Sequence, residues 1–314
     1  METEKHVEEQ MKILVTGSTG LVGTALVSAL SGAGHTVCRL VRPETKSTSE
    51  LKDGFDVAWN PMTGELGGAA VGADAVVNLA GAPIADKRWT AQRKPLLRSS
   101  RVDATRALVT ALAKMNARPR VLVSASAIGY YGNRGDEILS EESAPGNDFL
   151  SERTREWEAE AAKAEALGIR VVRARIGIVL ARDGGALPKM MAPFKLGVGG
   201  RIGNGKQWTS WVTLEDTVAI LKLALEQGAV RGAINVTAPN PVRNAEFAKA
   251  LGAALHRPAI FPVPAFVLRL AMGEMADALL LASQRVMPKA LEKLGYKFLQ
   301  PGLSSALKSV LNPS

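Results

Sequence analysis

The chain has little with which to cross-link or staple itself. It carries one cysteine, Cys38, so no internal disulfide can form. That thiol sits in an apolar strand pattern and reads as a buried structural residue. The three histidines, His6, His35 and His256, lie far apart, with no zinc-ligand spacing. No metal is therefore expected. No stretch is apolar for the length that a bilayer demands. Residues 1–10 are polar and acidic and lack the apolar run of a secretory signal. They are expected to form a disordered overhang, in a cytoplasmic protein with no membrane partner. Aromatic residues are only 5% of the total, which leaves little stacking surface for single-stranded nucleic acid.

Acidic residues are also in deficit. Thirty Asp and Glu face 39 Lys and Arg, a formal net charge of +9. The basic residues are scattered, and the densest stretch, residues 87–106, is interleaved with apolar positions. An anionic small ligand accounts for that excess as well as nucleic acid would. A small-molecule substrate is expected, and nucleic acid is not.

What is present is ample apolar material, 46% of 314 residues. Short apolar runs at residues 12–16, 36–41, 55–59, 73–79, 121–126, 170–175 and 233–236 read as strands. Helical spacing covers residues 20–31, 93–115 and 152–167. Alternating strands and helices predict an α/β fold, a Rossmann doubly wound parallel sheet. The glycine-rich stretch after Leu180 and the proline-punctuated helices after Asn240 predict a smaller, mainly helical C-terminal substrate domain. The expected boundaries are 11–182 with 208–238 for the nucleotide domain, and 183–207 with 239–314 for the smaller one.

The unusual residues follow strand ends, where such sheets bind ligands. Residues 16–23 read Thr-Gly-Ser-Thr-Gly-Leu-Val-Gly. Gly17 permits a tight turn, Gly20 lets backbone approach a pyrophosphate, and Gly23 lets the helix pack on the strand. Ser18, Thr19, Leu21 and Val22 complete a cradle of amides at a helix N-terminus. The second strand ends Leu40-Val41-Arg42, with no carboxylate to hold a ribose hydroxyl. Arg42 can pair with a 2′-phosphate instead, so the expected cofactor is NADP.

These residues resemble the extended short-chain dehydrogenase/reductase superfamily. The matches are the glycine turn, Asn78-Leu79-Ala80-Gly81, and residues 124–132, Ser-Ala-Ser-Ala-Ile-Gly-Tyr-Tyr-Gly. The chain is similar, more narrowly, to the nucleoside-diphosphate-sugar epimerase-like subgroup with its own C-terminal domain of unknown function. Ser99-Ser100-Arg101, Asp148-Phe149-Leu150, Trp157-Glu158, Ser210-Trp211-Val212, residues 241–247 and residues 284–288 carry that likeness. The resemblance implies cofactor contacts from Val41, Leu79, Ala80, Gly81, Arg101, Ser124 and Val179. It also implies a homodimer paired through the long helices.

One departure matters. The superfamily's Tyr-x-x-x-Lys pair, which exchanges a proton with substrate, falls at Leu150 and Thr154. Another proton donor is then needed: Tyr130 or Tyr131, helped by Ser126, with Lys189 or Lys206 as charge partner. Gly203 to Val212, with Gln207, Trp208, Ser210 and Trp211, is the expected substrate wall. The leading expectation is an NADP(H)-dependent oxidoreductase or epimerase-like enzyme for a small polyol, nucleotide sugar or related carbonyl compound. The alternative is a non-catalytic NADP(H)-binding regulatory protein, for example in cell division.

Overall fold

The computed structural model describes residues 9–44 and 54–312; most of the expected overhang lies outside the described residues. Five strands come first: β1 (Lys12–Thr16), β2 (Thr36–Val41), β3 (Gly54–Ala58), β4 (Ala75–Asn78) and β5 (Val121–Ala127). The short β6 (Ile138–Leu139) precedes β7 (Arg170–Ile176). Then come β8 (Ile178–Leu180), β9 (Trp208–Thr209), β10 (Trp211–Thr213) and the longer β11 (Gly232–Val236). Two-residue strands β12 (Val242–Arg243) and β13 (Arg285–Val286) complete the set.

Seven strands form one parallel sheet in the order β3-β2-β1-β4-β5-β7-β11. The direction of winding reverses between β1 and β4, which opens a crevice at their carboxyl ends. The strands read as continuous apolar runs because both faces are covered. Ile13 and Val15 point to one layer with Val123 and Val172, against α1 (Leu21–Gly32). Leu14 points to the other with Val76, Leu122 and Val171. Each such fully buried side chain contributes about 2 kcal/mol of apolar burial.

The helix expected over 93–115 is interrupted. It divides into α2 (Arg93–Arg98), a π turn over Ser99–Asp103, and α3 (Ala104–Ala113). The turn changes the register of the side chains and lets Arg101 and Val102 both face inward. A π turn inside a helix often marks a functional position. Helix α4 (Phe149–Ala162) is capped by Asp148, whose carboxylate accepts from the Ser151 amide at 2.8 Å.

Helices α5 (Leu187–Lys195), α6 (Leu214–Glu226), α7 (Asn244–Ala254) and α8 (Ala265–Met272) follow. A separate apolar cluster joins Leu187, Phe194 and Trp211 to Phe247 and Leu251 of α7 and to Leu303 and Leu307 of the last helix. The tail is tied back at Asp216, in the first turn of α6. This fully buried carboxylate accepts from the Leu299 amide at 2.8 Å, the Gln300 amide at 3.1 Å and the Tyr296 hydroxyl at 3.2 Å. The Thr213 hydroxyl also donates to it at 3.0 Å, so removing it would strand four donors in a dry environment. Asp216→Ala is expected to lower the unfolding free energy by about 3 kcal/mol, read from urea denaturation. A loss within error of zero would mean that the tail docks by apolar contact alone.

Candidate functional site

The site grows from a steric requirement at the end of β1. Gly17 adopts φ +66, and a Cβ there would lie 2.6 Å from the Leu79 carbonyl carbon and oxygen. A Cβ on Gly23 would lie 2.1 Å from the Gly17 carbonyl oxygen. Turn, helix and the end of β4 therefore approach more closely than side chains allow. Gly20 is the N-cap of α1 and offers no side-chain cap, and the first turn holds no acidic residue. The orphan amides of that turn stay open, at the positive end of the helix dipole. Ser18 is buried, its carbonyl accepting from the Thr24 hydroxyl at 3.2 Å, while Thr19 is exposed at the tip. Gly184 and Gly185, after β8, close over Leu21, where a Cβ would come within 3.1 and 2.9 Å of its side chain. Val22 and Val179 are half-buried against the same core layer.

The strand ends on either side are locked together. The Thr16 hydroxyl donates to Asn78 Oδ1 at 2.7 Å and accepts from the Leu79 and Ala80 amides at 3.1 and 3.2 Å. Asn78 donates to Thr105 at 2.8 Å and to Ser124 at 3.2 Å; the Trp157 indole donates to Thr105 at 2.9 Å. Ser124, expected at the cofactor, is thus buried as part of this lock. Such a satisfied network fixes the ends of β1, β4 and β5 relative to α3 and α4.

Two cations flank the crevice. Arg42 is exposed just beyond β2 and Val41, with Glu44 3.7 Å away. Arg101 lies inward from the π turn, its guanidinium about where a Cβ on Gly81 would touch it, at 3.0 Å. It donates to the Ala82 carbonyl at 2.9 Å and has no carboxylate partner among the described residues. Burial, with Arg93 nearby, lowers its pKa to about 10. A half-buried guanidinium that faces an aromatic ring, Trp157 at 5.6 Å, and no described carboxylate is suited to binding an anion.

Beyond β5 the sequence expectation changes. The Ser126 hydroxyl donates to Glu158 Oε1 at 2.6 Å. Glu158 holds Arg175 bidentately, at 2.8 and 2.9 Å. Arg175 donates to the Tyr131 hydroxyl at 3.0 Å, which donates to Asn235 at 2.7 Å. Ser126, Glu158, Arg175, Tyr131 and Asn235 are all buried. Burial opposes the Arg175 charge, but Glu158 more than offsets it and holds the pKa above the ordinary arginine range. Tyr131, expected as a proton donor, and Ser126, expected as its helper, are therefore buried with their hydroxyls hydrogen-bonded within this network.

Tyr130 is different. It is half-buried, and its ring lies face-on to Arg175, 3.5 Å from the guanidinium carbon. Tyr131 packs edge-on against it at 5.3 Å. Its hydroxyl has no hydrogen-bond partner among the described residues. Leu150 and Thr154 lie beside Gly129, 3.5 and 3.9 Å from a Cβ built there, so the positions of the missing pair do face this loop. Neither expected lysine supplies the charge. Lys189 is committed to Asp86 at 2.6 Å, and Lys206 lies exposed elsewhere. The cation on Tyr130 is Arg175, which the sequence reading missed. Its signal was a charged residue near the carboxyl end of a strand covered on both faces.

The expected substrate wall divides. Trp211 is fully buried in the C-terminal cluster, and Ser210 holds the backbone of Gln284 and Val286. Gln207 donates to the Ile202 and Leu280 carbonyls at 3.1 and 3.2 Å. The guanidinium carbons of Arg243, which pairs with Asp136 at 2.6 Å, and of Arg285 each lie 4.3 Å from the Trp208 ring centre. Residues 203–207 line an open groove of about 800 Å³ with Asp136, Arg243, Glu246, Arg269 and Leu281.

A doubly wound α/β sheet with a side-chain-free turn at its switch point defines a Rossmann-type protein. Residues 13–237 match the NAD dependent epimerase/dehydratase family, and the chain belongs to it. Residues 263–310 match a domain of unknown function, DUF1731. An "Epimerase family protein Mb2239" from Mycobacterium bovis is 42% identical over 296 residues, 94% of this chain and 96% of that one. The crystal structure of human epimerase family protein SDR39U1 with NADPH is similar at a TM-score of 0.86 and 34% identity. It spans 97% of this chain and all of that one. A nucleoside-diphosphate sugar epimerase structure from Corynebacterium glutamicum has a TM-score of 0.78 and 36% identity. The match covers 97% of this chain and 59% of that one.

Among the described residues, no helix is long and apolar enough to cross a membrane.

Burial raises the Tyr131 pKa from 10.0 to about 12, against the lowering effect of Arg175 and Asn235. The unfolded chain releases that proton first, so Tyr131 should make stability fall as pH rises through this window. Denaturation midpoints across it are expected to slope downward in wild type and less so in Tyr131→Phe. Parallel slopes would place the tyrosine outside the linkage.

Proposed function

We propose that the chain binds NADP(H) on the Gly17–Gly23 turn and acts as an oxidoreductase or epimerase-like enzyme. The expected substrates are a small polyol, a nucleotide sugar or a related carbonyl compound. The observation that carries this reading is the turn itself. A Cβ-intolerant cradle with open amides, beside an Arg101 that has no carboxylate partner among the described residues, fits a pyrophosphate better than it fits any packing role. Arg42 and Val41, at the end of β2, fit the 2′-phosphate and the adenosine. Leu79, Ala80 and Gly81 fit the adenine and ribose side, and Val179 the nicotinamide side. The NADPH in the human relative supports the same choice.

When bound, the cofactor supplies or accepts a hydride. What the chain adds is position and a proton. Glu158 holds Arg175, Arg175 holds the ring of Tyr130, and the Tyr130 hydroxyl is left to exchange a proton with a substrate oxygen. Tyr131, Ser126 and Asn235 keep Arg175 from turning. The two arginines at Trp208 and the groove beside it would hold a polar, anionic part of the substrate.

The absence of a charged pair at Leu150 and Thr154 favours a second reading, a cofactor-sensing protein without turnover. The two readings diverge in kinetics. On the enzyme reading, Tyr130→Phe lowers turnover of NADPH by about a hundredfold or more and leaves its affinity intact. If wild type oxidises no NADPH against a panel of carbonyl compounds and nucleotide sugars, the sensing role stands instead.

Cofactor choice is tested separately by titration calorimetry. Arg42→Ala is expected to weaken NADPH about tenfold or more and leave NADH unchanged. Gly23→Ala is expected to abolish binding of both. If wild type gives no heat with either NADPH or NADP⁺, the reading is wrong.

A further inference from the structure

Helix α8 has no buried residue, although seven of its eight positions are apolar. Phe266 and Leu270, one turn apart, are 69% and 78% exposed. Val267 lies between them, also exposed. The segment that leads into the helix adds Ile260, 70% exposed, and Phe261. The patch continues onto a second part of the chain. The Phe261 amide donates to the Gly199 carbonyl at 3.1 Å, and the Val263 amide to the Arg201 carbonyl at 2.9 Å. That pairing brings in the turn after α5, where Leu196 is 78% and Val198 51% exposed. Seven large exposed apolar side chains thus lie on neighbouring segments, and a cluster of that kind marks an interaction surface.

The charge around the patch says what that partner is. Residues 184–214 and 247–273 contain no Asp or Glu, while they hold seven Lys and Arg. Lys195, Arg201 and Arg257 stand within four residues of the patch, exposed, and make no ion pair among the described residues. Of the carboxylates near α8, Asp277 is engaged by Arg269 at 2.9 Å and Glu274 by Lys94 at 2.5 Å, while Glu246 lies across the groove that Ala265 and Arg269 line. The side of the patch that carries Lys195, Arg201 and Arg257 is therefore cationic. A second copy of this chain on the same face would set like charge against like. An acidic, apolar-cored surface matches both features, and a bilayer leaflet with anionic headgroups is such a surface.

We infer that α8 with its flanking turns docks on an anionic membrane surface. Phe266, Leu270, Ile260 and Leu196 would enter the headgroup boundary, while Lys195, Arg201 and Arg257 meet phosphate. The attachment is peripheral, since α8 has eight residues and cannot cross. The sequence reading expected no membrane partner, and no described helix is long and apolar enough to cross one, so the inference concerns surface attachment alone. It does not depend on the cofactor reading, because the patch lies on the C-terminal part of the chain.

The test is flotation of the full chain with vesicles, with and without NADPH. Wild type is expected to float with phosphatidylcholine vesicles containing phosphatidylglycerol and to stay behind with phosphatidylcholine alone. Salt should weaken the binding. Phe266→Asp with Leu270→Asp is expected to abolish flotation, and Lys195→Gln or Arg257→Gln to weaken it about fivefold each. Unchanged NADPH affinity and thermal midpoint would show that the variants remain folded. No flotation of wild type, flotation indifferent to phosphatidylglycerol, or flotation that survives the double aspartate variant overturns the inference. So does sedimentation showing that wild type is a dimer and the double variant a monomer, which would assign the face to a second copy.

Discussion

The site rests on a distance that no side chain can enter. The Gly17 carbonyl occupies the space where a Cβ of Gly23 would be, and Gly17 itself lies against the backbone of Leu79. Strand β1, helix α1 and the end of β4 are drawn together at one point. Only glycine at both positions permits it. The lock of Thr16, Asn78, Ser124 and Thr105 then holds the neighbouring strand ends at that separation. Open amides, and an Arg101 without a carboxylate partner among the described residues, follow from the geometry rather than adding to it. If β4 stood farther off, Gly81 would not meet the guanidinium and the turn would lie open to water.

Behind the crevice a buried ion pair takes up the space that a lysine would otherwise serve. Isolated in a dry interior, Arg175 would be costly. Two bonds donated to Glu158, one to Tyr131 and one to the Glu141 carbonyl make it tolerable, and its face is left for the ring of Tyr130. A charge held under an aromatic ring is fixed in place, whereas a lysine on a helix can swing. The arrangement favours orientation over mobility, and it makes Tyr130 depend on residues from β5, α4, β7 and β11 at once.

The sequence made the sheet legible because its physics is local. A strand covered on both faces must be apolar throughout, and residues 12–16, 36–41 and 121–126 announce themselves in that way. The glycine turn is legible for the same reason, since its constraint falls on three nearby residues. What was hidden depends on contacts between distant parts of the chain. Lys189 looked available until the fold brought Asp86 to it. Tyr131 looked like a proton donor until Asn235, 104 residues away, accepted its hydroxyl. The π turn at Ser99–Asp103 leaves no mark in a helical pattern, because its effect is one of register. The short strands β6, β8, β9, β10, β12 and β13 were missed because two or three residues carry no period.

Charge is distributed by the same logic. In the nucleotide-binding half, cations meet carboxylates of their own chain: Arg39 with Asp56, Arg98 with Glu156, Arg106 with Glu160, Arg175 with Glu158. These pairs link elements and leave little field behind. In residues 184–214 and 247–273 the carboxylates are missing, and seven of the cations that make up the excess gather there. Lys189 and Arg269 are paired with Asp86 and Asp277, while Lys195, Arg201 and Arg257 stand beside the unburied apolar side chains of α8 and the turn after α5. Neither feature helps the fold: bare phenylalanine and leucine forgo burial, and unpaired like charges repel. Two unfavourable features on one face, with no compensation among the described residues, are what the proposed membrane contact would offset.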